Sequence, residues 1–564
     1  MEEPSRAAPI TRNFALTTAM VVLVSIGIQA LGWVSTKVLY LRVAPGACDN
    51  GVGASCAGLH FIGIVSFFLI ITNSISALGD LRIQSAYVYY MARGGDEARL
   101  SGTYIAFRLA SMLALGVGFV AFGLLTMPSW FTGNLMAVTL FAFIPALEAP
   151  GVLFSVFHRS RGRAAYGQLP LLVETALRTT LLIVVALQFS IAGEPGGLPA
   201  AQGARLVTDM SFAYVTAAAA SLLLAIPLLL RVRLDRIREA LASMMRFAYP
   251  LMGAMFLTYL IAAVPPFFVE GLSGALGFQD LQIFNSAYAF LILLMFLPSA
   301  VTLPLFPDIA SLHVRGLDRE IRGRTRRALR LTTMLLAPAV LTVVVFRVDL
   351  LRIVYTAAVV NAGSDLALAL LAATALPLAL FRIMGTSLDA VGQQKRELYL
   401  SAVQLAVMVV VMALFIPSAG IGARLTGIRG VAGAALGVFL SAVAGFLVNG
   451  YYLHRYVRVR LPVRPYAAML LAAAIAFSLF STSFLGLFHI SLPVSHVAVL
   501  LPVVVAGFLL YFGVLALLGE LTREDVRYLL KSVMVPRPVI AAVERICWRD
   551  SWPDPEEPSP APPP

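Results

Sequence analysis

Residues Pro304 to Leu335 read PLFPDIASLHVRGLDREIRGRTRRALRLTTML. An apolar segment ends here, seven arginines follow between Arg315 and Arg330, and a second apolar segment begins. That many guanidinium groups in so short a stretch cannot enter hydrocarbon, so it is expected to form a loop held on one side of a membrane. An earlier stretch echoes it. Arg93-Gly94-Gly95-Asp96 precedes Phe107-Arg108-Leu109-Ala110-Ser111-Met112-Leu113, as Arg315-Gly316-Leu317-Asp318 precedes Leu329-Arg330-Leu331-Thr332-Thr333-Met334-Leu335. Both pairs are offset by 222 residues. A shared R-G-x-D followed by R-L-x-[ST]-M-L at one offset points to duplicated halves, a common plan among transporters.

The composition agrees with a membrane chain. Of 564 residues, 59% are hydrophobic and 13% charged, with a mean hydropathy of +0.87. A soluble domain carries about 25% charged residues, so a soluble enzyme is excluded. Apolar runs of about 20 residues mark spans. Fourteen can be drawn, at 14–41, 58–79, 101–127, 131–157, 168–192, 206–230, 248–269, 281–305, 329–346, 366–388, 398–417, 430–453, 465–488 and 495–519. The first is too long for a cleavable signal and reads as a retained span.

Alternating the loops across the bilayer places 32 of the 42 lysines and arginines on one side and six on the other. The positive-inside rule then puts both termini in the cytosol. It also explains the net charge of +13 as topology, with no nucleic-acid partner. The outer loop 44–58 holds Cys48 and Cys56, and a disulfide between them is expected there. Thr522-Arg523-Glu524-Asp525 reads as a capping box opening a short amphipathic stretch, Val526 to Val533, on the inner surface. From Trp552 the tail is rich in proline and acidic residues, a composition expected to be disordered.

Charged residues inside spans are costly and become site candidates. Glu148 and Arg178 lie equally far from the turn near Arg163, so they share a depth near mid-membrane. Glu174 stands four residues before Arg178 on the same helix face. A Glu148–Glu174–Arg178 cluster is either a polar wall of a translocation cavity or an ion pair locking two helices. Lys37, near the outer end of the first span, either faces a cavity or snorkels outward. Arg108, Arg330 and Arg382 are expected to snorkel to the inner surface. Asn73, Gln29, Tyr259 and Asn285 either line a cavity or bond neighbouring helices. Pro145, Pro150, Pro265, Pro266 and Pro377 are expected to bend their spans.

No catalytic set is present. There is no H-E-x-x-H, no Walker A lysine loop, no G-x-S-x-G and no clustered metal ligands, and the six histidines are scattered. The chain is expected to be neither an enzyme nor a metal or cofactor carrier, and not to drive transport with ATP by itself.

Several stretches carry a family resemblance. Met245-Arg246-Phe247-Ala248-Tyr249-Pro250-Leu251 opens the seventh span, and Phe284-Asn285-Ser286-Ala287-Tyr288 lies in the eighth. Leu305-Phe306-Pro307-Asp308-Ile309-Ala310 leaves it, and Ala390-Val391-Gly392-Gln393-Gln394-Lys395 turns between the tenth and eleventh. Gly427-Ile428-Arg429-Gly430-Val431-Ala432-Gly433-Ala434-Ala435 starts the twelfth. In order and spacing these resemble the multidrug/oligosaccharidyl-lipid/polysaccharide exporter superfamily, in its polysaccharide transporter (flippase) branch. Leu521-Thr522-Arg523-Glu524-Asp525 resembles the tails of archaeal members.

The resemblance implies an all-α polytopic membrane protein of about 14 helices. A six-helix half (1–245) and a second (246–455) would be followed by two added spans (456–519) and a cytosolic segment (520–564). It implies an alternating-access bundle with a central cavity, monomeric, in the plasma membrane. The cargo would be a polyprenyl-(pyro)phosphate-linked oligosaccharide flipped to the outer leaflet. The substrate cavity is expected to draw on Lys37, Glu148, Glu174, Arg178, Asn73, Tyr259 and Asn285. A drug or small-cation antiporter of the same fold, or a membrane assembly subunit without transport of its own, are the alternatives.

Overall fold

The structure, a computed structural model, describes residues 10–44, 54–80, 82–92, 95–126, 134–161, 166–189, 200–360, 362–393, 395–459, 463–479 and 497–521. These are almost wholly helical. The helices of the first half are α1 (Ile10–Val43), α2 (Ala54–Asp80), the short α3 (Ile83–Ala92), α4 (Glu97–Thr126), α5 (Leu135–Ser160), α6 (Leu169–Gln188) and α7 (Ala200–Leu229). The second half has α8 (Ile237–Leu272), α9 (Gly277–Leu294), α10 (Phe296–Val314), α11 (Asp318–Val345), the short α12 (Arg347–Val354), α13 (Ala362–Ala390), α14 (Lys395–Phe415), the short α15 (Ile421–Thr426) and α16 (Gly430–Val457). Two more follow, α17 (Val463–Ser478) and α18 (Val497–Leu517). Among the described residues, 12 helices are long and apolar enough to cross a membrane. With α1 and α17, which stand at the first and thirteenth expected spans, every expected span has its helix. The protein is a multi-pass membrane protein.

Two boundaries differ from the sequence reading, and a third lies partly outside the described residues. The arginine run is not a loop. Only the turn at Arg315 to Leu317 is non-helical, with Gly316 at φ +71° where glycine alone is unstrained. Arg319, Arg322, Arg324, Arg326, Arg327 and Arg330 all stand on α11, whose first turn carries Asp318 and Glu320. Those carboxylates suit the positive end of the helix dipole, and the helix simply extends beyond the hydrocarbon before its apolar part begins. The eighth span breaks at Met295 into α9 and α10. Pro298 has no N–H to offer the Leu294 carbonyl, so a continuous helix would lose that bond. Helix α17 ends at Ser478, and 480–488 of the expected thirteenth span lie outside the described residues. The expected segment after Leu521 lies outside them too.

Apolar side chains face both ways, as in a bilayer. One large core of buried residues runs through both halves, from Leu39 and Phe68 to Phe284 and Leu371. A second gathers the arginine-rich ends of the second half around Ile309, Leu329, Met384 and Leu453. A third packs α17 and α18 on α11, where the Tyr511 hydroxyl donates to the Met334 carbonyl at 2.9 Å. Leu125, Leu230 and Leu517 are exposed on the outside of the bundle, where lipid would cover them.

The two halves meet most closely where α2 lies against α9. Gly63 makes that approach possible: a Cβ there would stand 2.0 Å from the Phe278 carbonyl oxygen. The contact is backbone, so it cannot move aside alone. Gly63→Ala is therefore expected to force this seam apart. A cost of about 1–3 kcal/mol would shift the open population roughly ten-fold, read as faster thiol labelling of Ser66→Cys in the Gly63→Ala background.

Candidate functional site

In the first half, α6 brings Glu174 and Arg178 one turn apart. Arg178 donates Nη1 to Glu174 Oε1 at 3.3 Å and stands over the Tyr214 ring of α7, 5.4 Å from its centroid. Glu148 on α5 interacts electrostatically with both, and with Arg108 on α4. The structure thus gathers the three residues nominated for a cluster, with Tyr214 as an addition.

Arg108 does not snorkel. It is 4% exposed and its Nη1 donates to Asp80 Oδ1 at 2.7 Å and to the Tyr104 hydroxyl at 3.1 Å. Its Nη2 donates to Ser76 Oγ at 3.2 Å. Asp80 stands at the end of α2 and neutralises it. Position along the chain favoured snorkelling, but a carboxylate on the neighbouring helix offers a partner at closer reach. Its echo Arg330 differs: Nη2 donates to the Glu520 carbonyl at 2.6 Å, tying α11 to the chain after α18.

The face away from the arginines is sealed by bonds between the halves. The Gln282 amide of α9 donates to the Tyr40 hydroxyl of α1 at 2.6 Å, and Ser66 of α2 donates to the Gln282 carbonyl oxygen. Tyr40 and Ser286 share a hydrogen bond at 3.2 Å. Thr356 donates to the Ala44 carbonyl at 2.8 Å. Lys37 joins this seam: its Nζ donates to the Arg352 carbonyl at 2.7 Å and to that of Tyr355, at the end of α12. It therefore neither points into a cavity nor stands free, because unpaired helix-end carbonyls attract an ammonium. Burial, with Tyr40 beside it, raises the Tyr355 phenol above its ordinary pKa, so it stays neutral here. Cys56 is disulfide-bonded; Cys48 lies outside the described residues.

The arginine-rich face is also closed between the halves. The Tyr89 ring of α3 stacks on Phe247 of α8 with centroids 4.4 Å apart. Tyr90 donates to the Ser243 carbonyl at 3.1 Å, and Arg99 pairs with Glu239 at 2.9 Å. Midway, Tyr259 of α8 donates to Ser74 of α2. Tyr259 is thus a seam residue. Asn73 is exposed beside Ser74, and Asn285 is half-buried on α9.

A cavity of about 400 Å³ lies within the second half, between α8, α9, α10, α13, α14 and α16. None of the nominated residues is among those lining it. Arg382 of α13 is. Its side chain is accessible from the cavity, and Tyr288 of α9 interacts electrostatically with it. Depth along the helix points to snorkelling, but the guanidinium is exposed to the cavity where it stands. Seven residues along the same helix, roughly 10 Å nearer its end, Asp389 lines the same wall with Arg396 and Glu397 of α14. Arg396 is held by Gln393 at 2.6 Å and stands over the Tyr456 ring at 3.2 Å from its centroid. Thr258, Thr374, Thr386, Ser401, Gln404, Ser441 and Asn449 add hydroxyl and amide groups. Asn449 donates to the Phe381 carbonyl at 2.9 Å, while its buried Oδ1 has no bonding partner. The wall can therefore hold an anion at Arg382 and offer hydrogen bonds to hydroxyl-rich groups.

Twelve expected spans in two halves that meet at both faces, two added spans and a polar cavity in the second half make up a fold shared with solved membrane transporters. The chain is structurally similar to the lipid II flippase MurJ in an inward closed conformation, with a TM-score of 0.61 and 14% identity over 88% of this chain and 98% of that one. It is similar to an inward-facing multidrug resistance MATE transporter of the MOP superfamily, with a TM-score of 0.52 and 15% identity over 78% of this chain and 95% of that one. A Vibrio cholerae MATE transporter mutant matches with a TM-score of 0.51 and 16% identity over 78% and 96%. Compared by sequence, the chain matches no protein-family model and no curated protein.

Proposed function

We propose that this protein is a plasma-membrane flippase that moves a polyprenyl-(pyro)phosphate-linked oligosaccharide between leaflets by alternating access. The observation that carries the reading is Arg382, a cation at depth in a cavity whose other charged groups, Asp389, Arg396 and Glu397, stand towards one end and whose remaining wall is hydroxyls, amides and apolar side chains. A phosphate needs a cation in a site with little water, a glycan needs hydroxyl and amide partners, and the lipid tail needs only the membrane. The likeness in fold to a lipid II flippase supports it. The arginine-rich face is the cytosolic one under the positive-inside rule, and cargo enters from there.

Binding tests it. In detergent, a polyprenyl-pyrophosphate disaccharide titrated against intrinsic tryptophan fluorescence should bind saturably, and inorganic pyrophosphate at millimolar concentration should compete. Absence of saturable binding, with tight binding of a lipophilic cation instead, would sink the reading.

A second reading, an ion-coupled antiporter of drugs or small cations, is favoured by Glu148 and Glu174. These carboxylates face one arginine between them in the first half, an arrangement that suits proton exchange. Uptake of a lipophilic cation driven by an imposed pH gradient, lost in Glu148→Gln, would support it.

A further inference from the structure

Three helix ends of the second half meet at the arginine-rich face and enclose a pocket of about 310 Å³, separate from the Arg382 cavity. Its wall takes His313 from α10, Arg322 from α11 and Arg458 from the end of α16. Gln393, in the α13–α14 turn, borders both this pocket and the Arg382 cavity. Asp318 lines it too, but no ion pair joins it to either arginine. Among the described residues, neither Arg322 nor Arg458 has a hydrogen-bond or ion-pair partner. Their neighbours do: Arg324 pairs with Asp308 at 3.5 Å, and Arg396 stands over the Tyr456 ring. Both guanidinium groups line one concave wall, where an anion would offset their like charge.

The backbone at Arg458 is a second observation. Its φ is 56°, in the left-handed region that Arg82 and Arg236 also adopt, and it closes α16. Glycine is the unstrained residue at such a helix end, and a side chain there is held against a conformational cost. An arginine in that place presents a guanidinium to the pocket that glycine would not.

We propose that this pocket binds a phosphate group, held by Arg322 and Arg458 through guanidinium hydrogen bonds and joined by His313. Guanidinium pairs with phosphate oxygens in bidentate geometry, which an ammonium cannot copy. The phosphate comes either from the headgroup of an anionic lipid in the adjacent leaflet or from a soluble phosphate compound. The site is outside the Arg382 cavity and does not depend on the transport reading.

The test uses the full chain in nanodiscs of phosphatidylcholine, titrated with two probes, dioctanoyl phosphatidylglycerol and inorganic pyrophosphate, by calorimetry. At least one probe should bind saturably, with about ten-fold weaker affinity in Arg322→Gln and in Arg458→Gly, one charge-assisted contact being worth about that much. Arg319→Gln, on α11 but outside the pocket wall, should bind as wild type. Arg458→Gly should melt at the same or a higher temperature while losing affinity, because it relieves the backbone and removes the ligand contact; a purely structural arginine would show neither split. Binding of the lipid alone assigns the headgroup as the source. Binding of pyrophosphate alone assigns a soluble phosphate, and mutual competition assigns the shared group. No saturable binding of either probe, or binding that Arg322→Gln and Arg458→Gly leave unchanged, overturns the proposal.

Discussion

Replacing Arg382 with glutamine is expected to slow cargo translocation at least ten-fold while leaving the melting temperature of the purified protein close to wild type. The argument is electrostatic. Arg382 faces the cavity rather than a carboxylate, so no buried partner is orphaned when its charge is removed. A bound phosphate loses one charge-assisted hydrogen bond, worth about 1.5–3 kcal/mol, which is roughly ten- to a hundred-fold in rate if the contact persists to the rate-limiting step. Arg382→Lys should keep part of the rate, because it keeps the charge but not the fork. Equal rates in all three proteins would remove Arg382 from the site.

The second large effect is on stability. Arg108 and Asp80 form a pair whose side chains are 5% and 9% exposed. Removing one partner leaves an uncompensated charge in a low-dielectric setting, at a cost of about 3–5 kcal/mol. Arg108→Met and Asp80→Leu should each lower the thermal midpoint markedly. The double variant should recover most of the loss, since both charges leave together and apolar packing replaces them. A double variant as unstable as the sum of the singles would show that the pair is held by its separate bonds to Tyr104 and Ser76 rather than by mutual neutralisation.

The fold was largely legible because the bilayer imposes length and charge asymmetry on the chain. Fourteen apolar runs separated by arginine clusters leave few other arrangements. What misled was the assumption that charge ends a helix: the run from Arg319 to Arg330 is helical, since guanidinium groups need only water around them, and a helix projecting beyond hydrocarbon supplies it. The Glu174–Arg178 proximity followed from i,i+4 spacing. Helix-to-helix pairing did not follow. Asp80 was not nominated, because its place at the end of α2 gives no sign that Arg108 of α4 lies beside it. Depth along one helix points Arg382 to snorkelling, because it says nothing of a cavity formed by five others. Depth alone leaves Lys37 at a cavity or the outer surface, while its partners are carbonyls more than 300 residues away, which no local pattern reveals. A signal was present for Arg382: α13 also carries Thr374, Thr386 and Asp389, a polar stripe unusual for a lipid-facing span.

The most direct measurement of the central claim follows leaflet exchange itself. The protein is reconstituted in unilamellar liposomes carrying a fluorescent polyprenyl-pyrophosphate oligosaccharide, and a membrane-impermeant quencher is added outside. Flipping predicts that quenching rises from about half of the signal, the outer-leaflet share, towards completion, at a rate that scales with protein per vesicle and falls in Arg382→Gln. Quenching that halts at the protein-free level, in vesicles shown to contain folded protein, would contradict the account.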